Sequence, residues 1–102
     1  MNVEILHIDD CPNWQEAGGR MGAALALTGH PDAAVSYTLL STAEDAATVL
    51  FAGSPTIIVD GRDLFPGADR ISDLACRIYQ TPTGFAGLPT IDQLIEALGH
   101  RD

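Results

Sequence analysis

The most constraining feature of this chain is an abrupt change of pattern around Asp10. Val3-Glu4-Ile5-Leu6-His7-Ile8 is β-prone and mostly apolar, and the run stops at Asp9-Asp10. Cys11-Pro12 follows, and proline is well suited to a first helical position because the N–H it lacks has no partner there. Strand one therefore feeds directly into a helix expected to begin at Cys11, with that residue as its cap. Trp14, Ala17, Met21, Ala24, Leu25 and Thr28 recur at helical spacing, and Gly29 before His30-Pro31 supplies the stop. Gly18, Gly19 and Gly22 each cost about 1 kcal/mol against alanine, so this helix must lean on tertiary packing.

The alternation continues downstream. Ala34 to Leu40 reads as a second strand, and Ser41 with Glu44 as a capping box for a short helix through Ala46, Ala47, Val49 and Leu50 that ends at Gly53. Ser54-Pro55-Thr56-Ile57-Ile58-Val59-Asp60 opens a third strand with proline at its first position. Residues 61–74 read as a polar loop, Leu74 to Gln80 around Cys76 as a fourth strand, and Thr81 to Gly87 as a turn. Thr90 with Gln93 is a second capping box, opening a helix with Ile91, Leu94, Ile95 and Leu98 on one face and a stop at Gly99. The order is βαβα followed by ββα, an α/β pattern. Its first half calls for parallel strands joined by a right-handed crossover, and the close linkage of strands three and four for an antiparallel pair.

A length of 102 residues points to a single domain over 1–102, and 46% hydrophobic with 19% charged residues is enough for a packed core. Fourteen acidic residues face five basic ones, all arginine, for a net charge of −9. That charge repels phosphate backbones and anionic lipids, so neither nucleic acid nor a membrane surface is expected as a partner. The N-terminal stretch has no basic region and no apolar run reaches membrane-spanning length, which leads to an expected cytoplasmic location. In that reducing compartment Cys11 and Cys76 are expected as free thiols.

Asp10-Cys11-Pro12-Asn13-Trp14 resembles the active-site turn between strand one and helix one of the thioredoxin-like superfamily, which includes the glutaredoxin-like proteins. Ser54-Pro55-Thr56 resembles the cis-proline turn that faces it. With the element order, the resemblance covers nearly the whole chain. It implies a thioredoxin-like β-α-β-α-β-β-α fold, with a four-stranded mixed sheet in order 2-1-3-4 flanked by helices. It also implies a cis peptide bond before Pro55, and a Ser54 backbone that offers hydrogen bonds to an extended substrate lying across Cys11. Carried over residue by residue, Cys11 is the reactive thiol, and Pro12, Asn13, Trp14, Ser54, Pro55 and Thr56 are the residues that meet substrate. The chain departs from the pattern at Trp14, which stands where dithiol members have their second cysteine. Thiol–disulfide exchange would then pass through a mixed disulfide on Cys11, resolved by a low-molecular-weight thiol or a protein partner. No cofactor is implied.

The residues can be weighed without the family. Free N–H groups at a helix start favour a thiolate at Cys11, while the carboxylates of Asp9 and Asp10 oppose it, so a modest activation is expected. In the order 2-1-3-4, strand four lies two strands from strand one. That is about 9–10 Å, against the roughly 7 Å Cα separation a disulfide tolerates. Cys11 and Cys76 are therefore expected as separate thiols, with Cys76 packed in the core. His7 sits roughly 13 Å along the chain from Cys11 and reads as a satisfied strand histidine rather than its base. His30 and His100 fall at helix ends, where surface or dipole roles suffice. Trp14 is either a helix packing residue or a substrate contact. No metal motif is present, and two distant cysteines do not make a closed zinc site. Two other functions stay open. One is a non-catalytic binding module, for which the missing second cysteine and the acidic flank speak. The other follows from a resemblance of Asp63-Leu64-Phe65-Pro66 through Ala75-Cys76 to Gly84 to the catalytic region of organomercurial lyases, which implies two cysteines and an aspartate acting together and needs Cys11 and Cys76 to be close.

Overall fold

The computed structural model of the chain describes residues 1–100. Its central element is a four-stranded mixed sheet in the order β2-β1-β3-β4, built from β1 (Asn2–His7), β2 (Ala34–Leu39), β3 (Thr56–Val59) and β4 (Arg62–Asp63). β1 runs parallel to β2, with Ile5 opposite Tyr37, and antiparallel to β3, with Ile5 opposite Ile57. The α/β class, the mixed sheet and the 2-1-3-4 order match the expectation.

Which residues form the fourth strand does not. β4 follows β3 after a two-residue turn in which Asp60 (φ 50°) and Gly61 (φ 85°) both adopt the left-handed conformation, bringing Val59 opposite Arg62. An Asp-Gly pair between apolar runs is a strong hairpin signal. It closes the sheet edge immediately, so Leu74 to Gln80 has no place in the sheet. That stretch instead makes one isolated parallel bridge, Cys76 to Ser54, before entering a separate hairpin of β5 (Tyr79–Thr81) and β6 (Gly84–Ala86).

Three helices flank the sheet. α1 (Trp14–Leu27) starts at Trp14, with Asn13 as its cap, rather than at Cys11. Pro12 and Asn13 form a turn ahead of it, and the Ala17 N–H donates to the Asn13 carbonyl at 2.9 Å. α1 ends as expected, at Gly29 (φ 84°), with the His30 N–H reaching the Leu25 carbonyl at 2.8 Å. α2 (Ala43–Ala47) is capped by Thr42, whose hydroxyl accepts from the Asp45 N–H at 3.1 Å, while the Asp45 carboxylate accepts from the Ser41 N–H. The expected Ser41–Glu44 box is thus displaced by one residue, and the helix stops short of Val49 and Leu50. The box at α3 (Ile91–His100) is as expected, with the Thr90 and Gln93 side chains each accepting from the other's N–H, at 2.9 and 3.1 Å. α3 continues through Gly99 to His100. No described helix is long and apolar enough to cross a membrane.

Strand alternation divides the core in two. Val3, Ile5, Ile57 and Val59 face α1 and α3, packing with Ala17, Met21, Ala24, Leu25, Leu94 and Leu98. Leu6, Ile8 and Ile58 face the other way and pack with Leu40, Ala46 and Phe51. Each fully buried aliphatic side chain contributes about 1.5–3 kcal/mol, which offsets the glycine content of α1. Cys11 belongs to the second cluster, at the end of β1.

Candidate functional site

Four segments meet where β1 ends: the Asp9–Asn13 link into α1, the Ser54-Pro55 entry to β3, the extended stretch 74–78, and the loop at Gly87. Cys11 and Cys76 are joined in a disulfide, with Cα atoms 5.9 Å apart. This overturns the expectation of two separate thiols. The sheet-spacing argument failed because it assigned Cys76 to a fourth strand lying beyond β3. The real fourth strand is Arg62–Asp63, which leaves the later chain free to return across the mouth of β3 and meet Cys11. A route with Cys11 acting alone, resolved only from outside, gives way to a cysteine pair within the chain. Cys76 is exposed rather than part of the core, whereas Cys11 is 1% exposed.

The Ser54-Pro55 peptide bond is cis. Ser54 is buried, and its hydroxyl accepts from the Ile8 N–H at 3.1 Å, fixing the end of β1 beside the disulfide. Its backbone is fully used: the Ser54 N–H donates to the Ala75 carbonyl at 2.8 Å, and the Arg77 N–H donates to the Ser54 carbonyl at 2.9 Å. The groups expected to be offered to an extended substrate are held by the chain's own residues 75–77. Thr56, also buried, accepts from the Ala52 N–H at 3.1 Å and donates to the Gly53 carbonyl, and so shapes the turn before Pro55. Gly53 (φ 106°) lets the stretch pass close by. A Cβ there would lie 2.7 Å from the Cβ of Arg77 and 2.8 Å from its Cα.

Arg77 anchors this stretch. Its guanidinium donates to the Asp63 carboxylate at 2.9 Å and to the Phe65 carbonyl at 2.7 Å, and lies over the Tyr79 ring at 4.7 Å. The Tyr79 hydroxyl in turn donates to the Pro55 carbonyl. Burial raises the Tyr79 pKa well above its ordinary value, with the Arg77 charge acting in the opposite direction, so this donor keeps its proton.

The remaining residues expected to meet substrate are distributed around this core. Pro12 is exposed beside the disulfide. The Asn13 amide is turned toward Gly87, its Nδ2 2.3 Å from where a Cβ on that glycine would stand. Trp14 stacks on His7, ring centroids 4.2 Å apart, and meets Tyr37 edge-on at 5.3 Å. It packs α1 onto the sheet. His7 is buried, and its Nδ1 has no hydrogen-bond partner among the described residues, so it is not the satisfied histidine expected. Burial lowers its pKa, against the opposing pull of Asp9. Asn13, not Cys11, caps α1, so Cys11 does not hold the helix-start position expected of it. Arg77 is a site residue that no sequence motif marks, and Asp63 is marked only by the organomercurial-lyase resemblance; the signal for both is the Asp60-Gly61 turn, which frees the Cys76 stretch to reach this place.

The arrangement joins one buried and one exposed cysteine by a disulfide, on a scaffold anchored from both sides. No group of three or more His, Cys, Asp or Glu residues suited to a metal ion occurs among the described residues. Comparison with protein-family models, curated proteins and solved structures finds nothing that matches the chain.

Proposed function

We propose that this is a thioredoxin-like protein that exchanges thiols and disulfides through the pair Cys11 and Cys76. The observation that carries the reading is the bond between these two residues beside the cis Ser54-Pro55 peptide. The element order and the position of Cys11 after β1 support the thioredoxin-like assignment. Cys76 supplies the second sulfur that Trp14 does not. In exchange, an external thiolate attacks one sulfur of the pair and the other leaves as a thiolate. A second thiol then completes the reduction, giving two cysteine thiols and an external disulfide. The partners proposed are low-molecular-weight thiols or protein disulfides. The test is catalysis of a small disulfide's reduction by dithiothreitol, comparing the wild type with Cys11→Ser and Cys76→Ser. Catalysis lost in both variants supports the reading, and catalysis kept in either removes the pair as its basis.

A second reading is favoured by the same closeness of Cys11 and Cys76, which the organomercurial-lyase resemblance requires. The reduced thiols would form a soft ligand pair for mercury. Cleavage would send a proton to the carbon while the metal ion stays on both sulfurs. Asp63 lies in the resembling stretch, with its carboxylate held by Arg77. Release of benzene from phenylmercury by the reduced protein would support this reading, and binding without release would rule it out.

A further inference from the structure

We infer that exchange partners meet this protein at Cys76, and that Cys11 is the internal sulfur that closes the cycle. The inference rests on the reading of the pair as a reversible exchange site. Along residues 74–80, Leu74, Cys76 and Ile78 are exposed while Arg77 and Tyr79 are buried. Leu74 and Ile78 are 39% and 71% exposed, so Cys76 stands in the middle of an accessible apolar row. Cys11 is 1% exposed and belongs to the buried cluster of Leu6, Ile8, Leu40, Ala46, Phe51 and Ile58. Displacement at a disulfide sulfur requires the incoming thiolate to approach opposite the leaving sulfur. Solvent offers that approach to Cys76. At Cys11 it runs into the packed cluster.

The backbone points the same way. A cysteine-bearing peptide that reached Cys11 by pairing with Ser54 would have to displace both hydrogen bonds already made by Ala75 and Arg77. It would also have to lift a stretch fixed by the partly buried Arg77–Asp63 pair. The contacts of that anchor, from Arg77 to Asp63 and to the Phe65 carbonyl, involve neither cysteine.

The steps balance. With the protein oxidised, an external thiolate bonds to Cys76, the Cys11–Cys76 bond breaks, and Cys11 leaves as a thiolate that takes a proton from water. A second external thiolate attacks the external sulfur, releasing Cys76 and the external disulfide. In reverse, the Cys76 thiolate attacks a partner disulfide, and Cys11 then attacks Cys76 and expels the remaining partner thiolate. The chemistry recognised is a thiol or disulfide on an unhindered carrier, either a small molecule or a peptide.

The test uses full-length Cys11→Ala and Cys76→Ala, each with a single cysteine, with circular dichroism recording their folds. Each is reacted with oxidised glutathione and, separately, with a flexible peptide disulfide. The Cys11→Ala variant, which keeps Cys76, should form mixed disulfides at least ~10-fold faster than the variant that keeps Cys11, because a buried thiol reacts only through local opening. A preference for one reagent separates the small-molecule from the peptide source. In the folded wild type, acid quenching during reduction by glutathione should place the mixed disulfide on Cys76 by peptide mass mapping, a measurement that does not depend on how the variants fold. A mixed disulfide on Cys11 in the wild type, or equal or faster reaction of the Cys11-only variant in its native fold, overturns the inference while leaving reversible exchange standing. A wild-type disulfide that resists reduction in the folded state overturns both.

Discussion

The guanidinium of Arg77 donates to the carboxylate of Asp63 at 2.9 Å, with the two side chains 6% and 16% exposed. This pair joins the sheet edge to the residue next to Cys76. Removing one member of a buried pair leaves the other charge uncompensated, at a cost of about 3 kcal/mol. Asp63→Ala should lose about that much in urea unfolding of the oxidised protein. The double variant with Arg77→Met should lose less than the sum of the two single changes, because they share one interaction.

Gly53 is required by the close passage of Arg77 and by its own positive φ. Gly53→Ala should destabilise the protein by about 1–3 kcal/mol, the range for strained backbone and overpacking. Amide exchange should quicken at Arg77, whose N–H bonds the Ser54 carbonyl. Unchanged exchange there would mean that the turn at Gly53 does not position the Cys76 stretch.

The glycines of α1 differ from one another. At Gly19 and Gly22 an added Cβ meets nothing within 4 Å, whereas at Gly18 it would lie 1.9 Å from the Tyr37 hydroxyl. Gly19→Ala and Gly22→Ala should each raise stability by about 1 kcal/mol, visible as a higher Tm. Gly18→Ala should not, unless Tyr37 is first shortened to alanine.

Much of this architecture is legible from local pattern. The places of β1, β2 and α3 to within a residue at their ends, the reciprocal cap of Thr90 and Gln93 and the stop at Gly29 all follow from nearest-neighbour chemistry, although α3 runs through its expected stop at Gly99 to His100. The cis bond before Pro55 was implied only by the resemblance, since composition and spacing carry no such information. The Cys11–Cys76 bond runs against expectation for one reason: reading Asp60 as the end of strand three and Gly61 as the start of a loop splits the Asp-Gly hairpin signal. With strand four expected at the Cys76 stretch, the spacing across a sheet does not hold for a segment that lies outside it. Long-range anchors such as Arg77 to Asp63 leave no local trace, because either residue alone reads as an ordinary surface charge.

His7 gives the fold a pH dependence. Its pKa in the folded state is depressed below 6.5 by burial against Trp14 and the sheet, so the unfolded chain binds the proton more readily. The associated stability is present above pH 6.5 and is lost as pH falls toward the folded-state value. Urea midpoints should therefore decline as pH drops below 6.5, and the decline should be smaller in His7→Phe, which keeps a ring to stack on Trp14. Equal slopes in the two proteins would assign the dependence to other groups.

On the proposed function, Cys11 and Cys76 pass reversibly between a disulfide and two thiols. This is tested most directly by equilibrating the native protein in buffers of graded reduced-to-oxidised dithiothreitol ratio, quenching with acid, alkylating and weighing the intact chain. Both thiols should appear together in one transition, reoxidation should restore the starting mass, and circular dichroism should show a folded protein throughout. A disulfide that opens only under conditions where the fold is lost would contradict the proposed function, and would make the Cys11–Cys76 bond a structural staple.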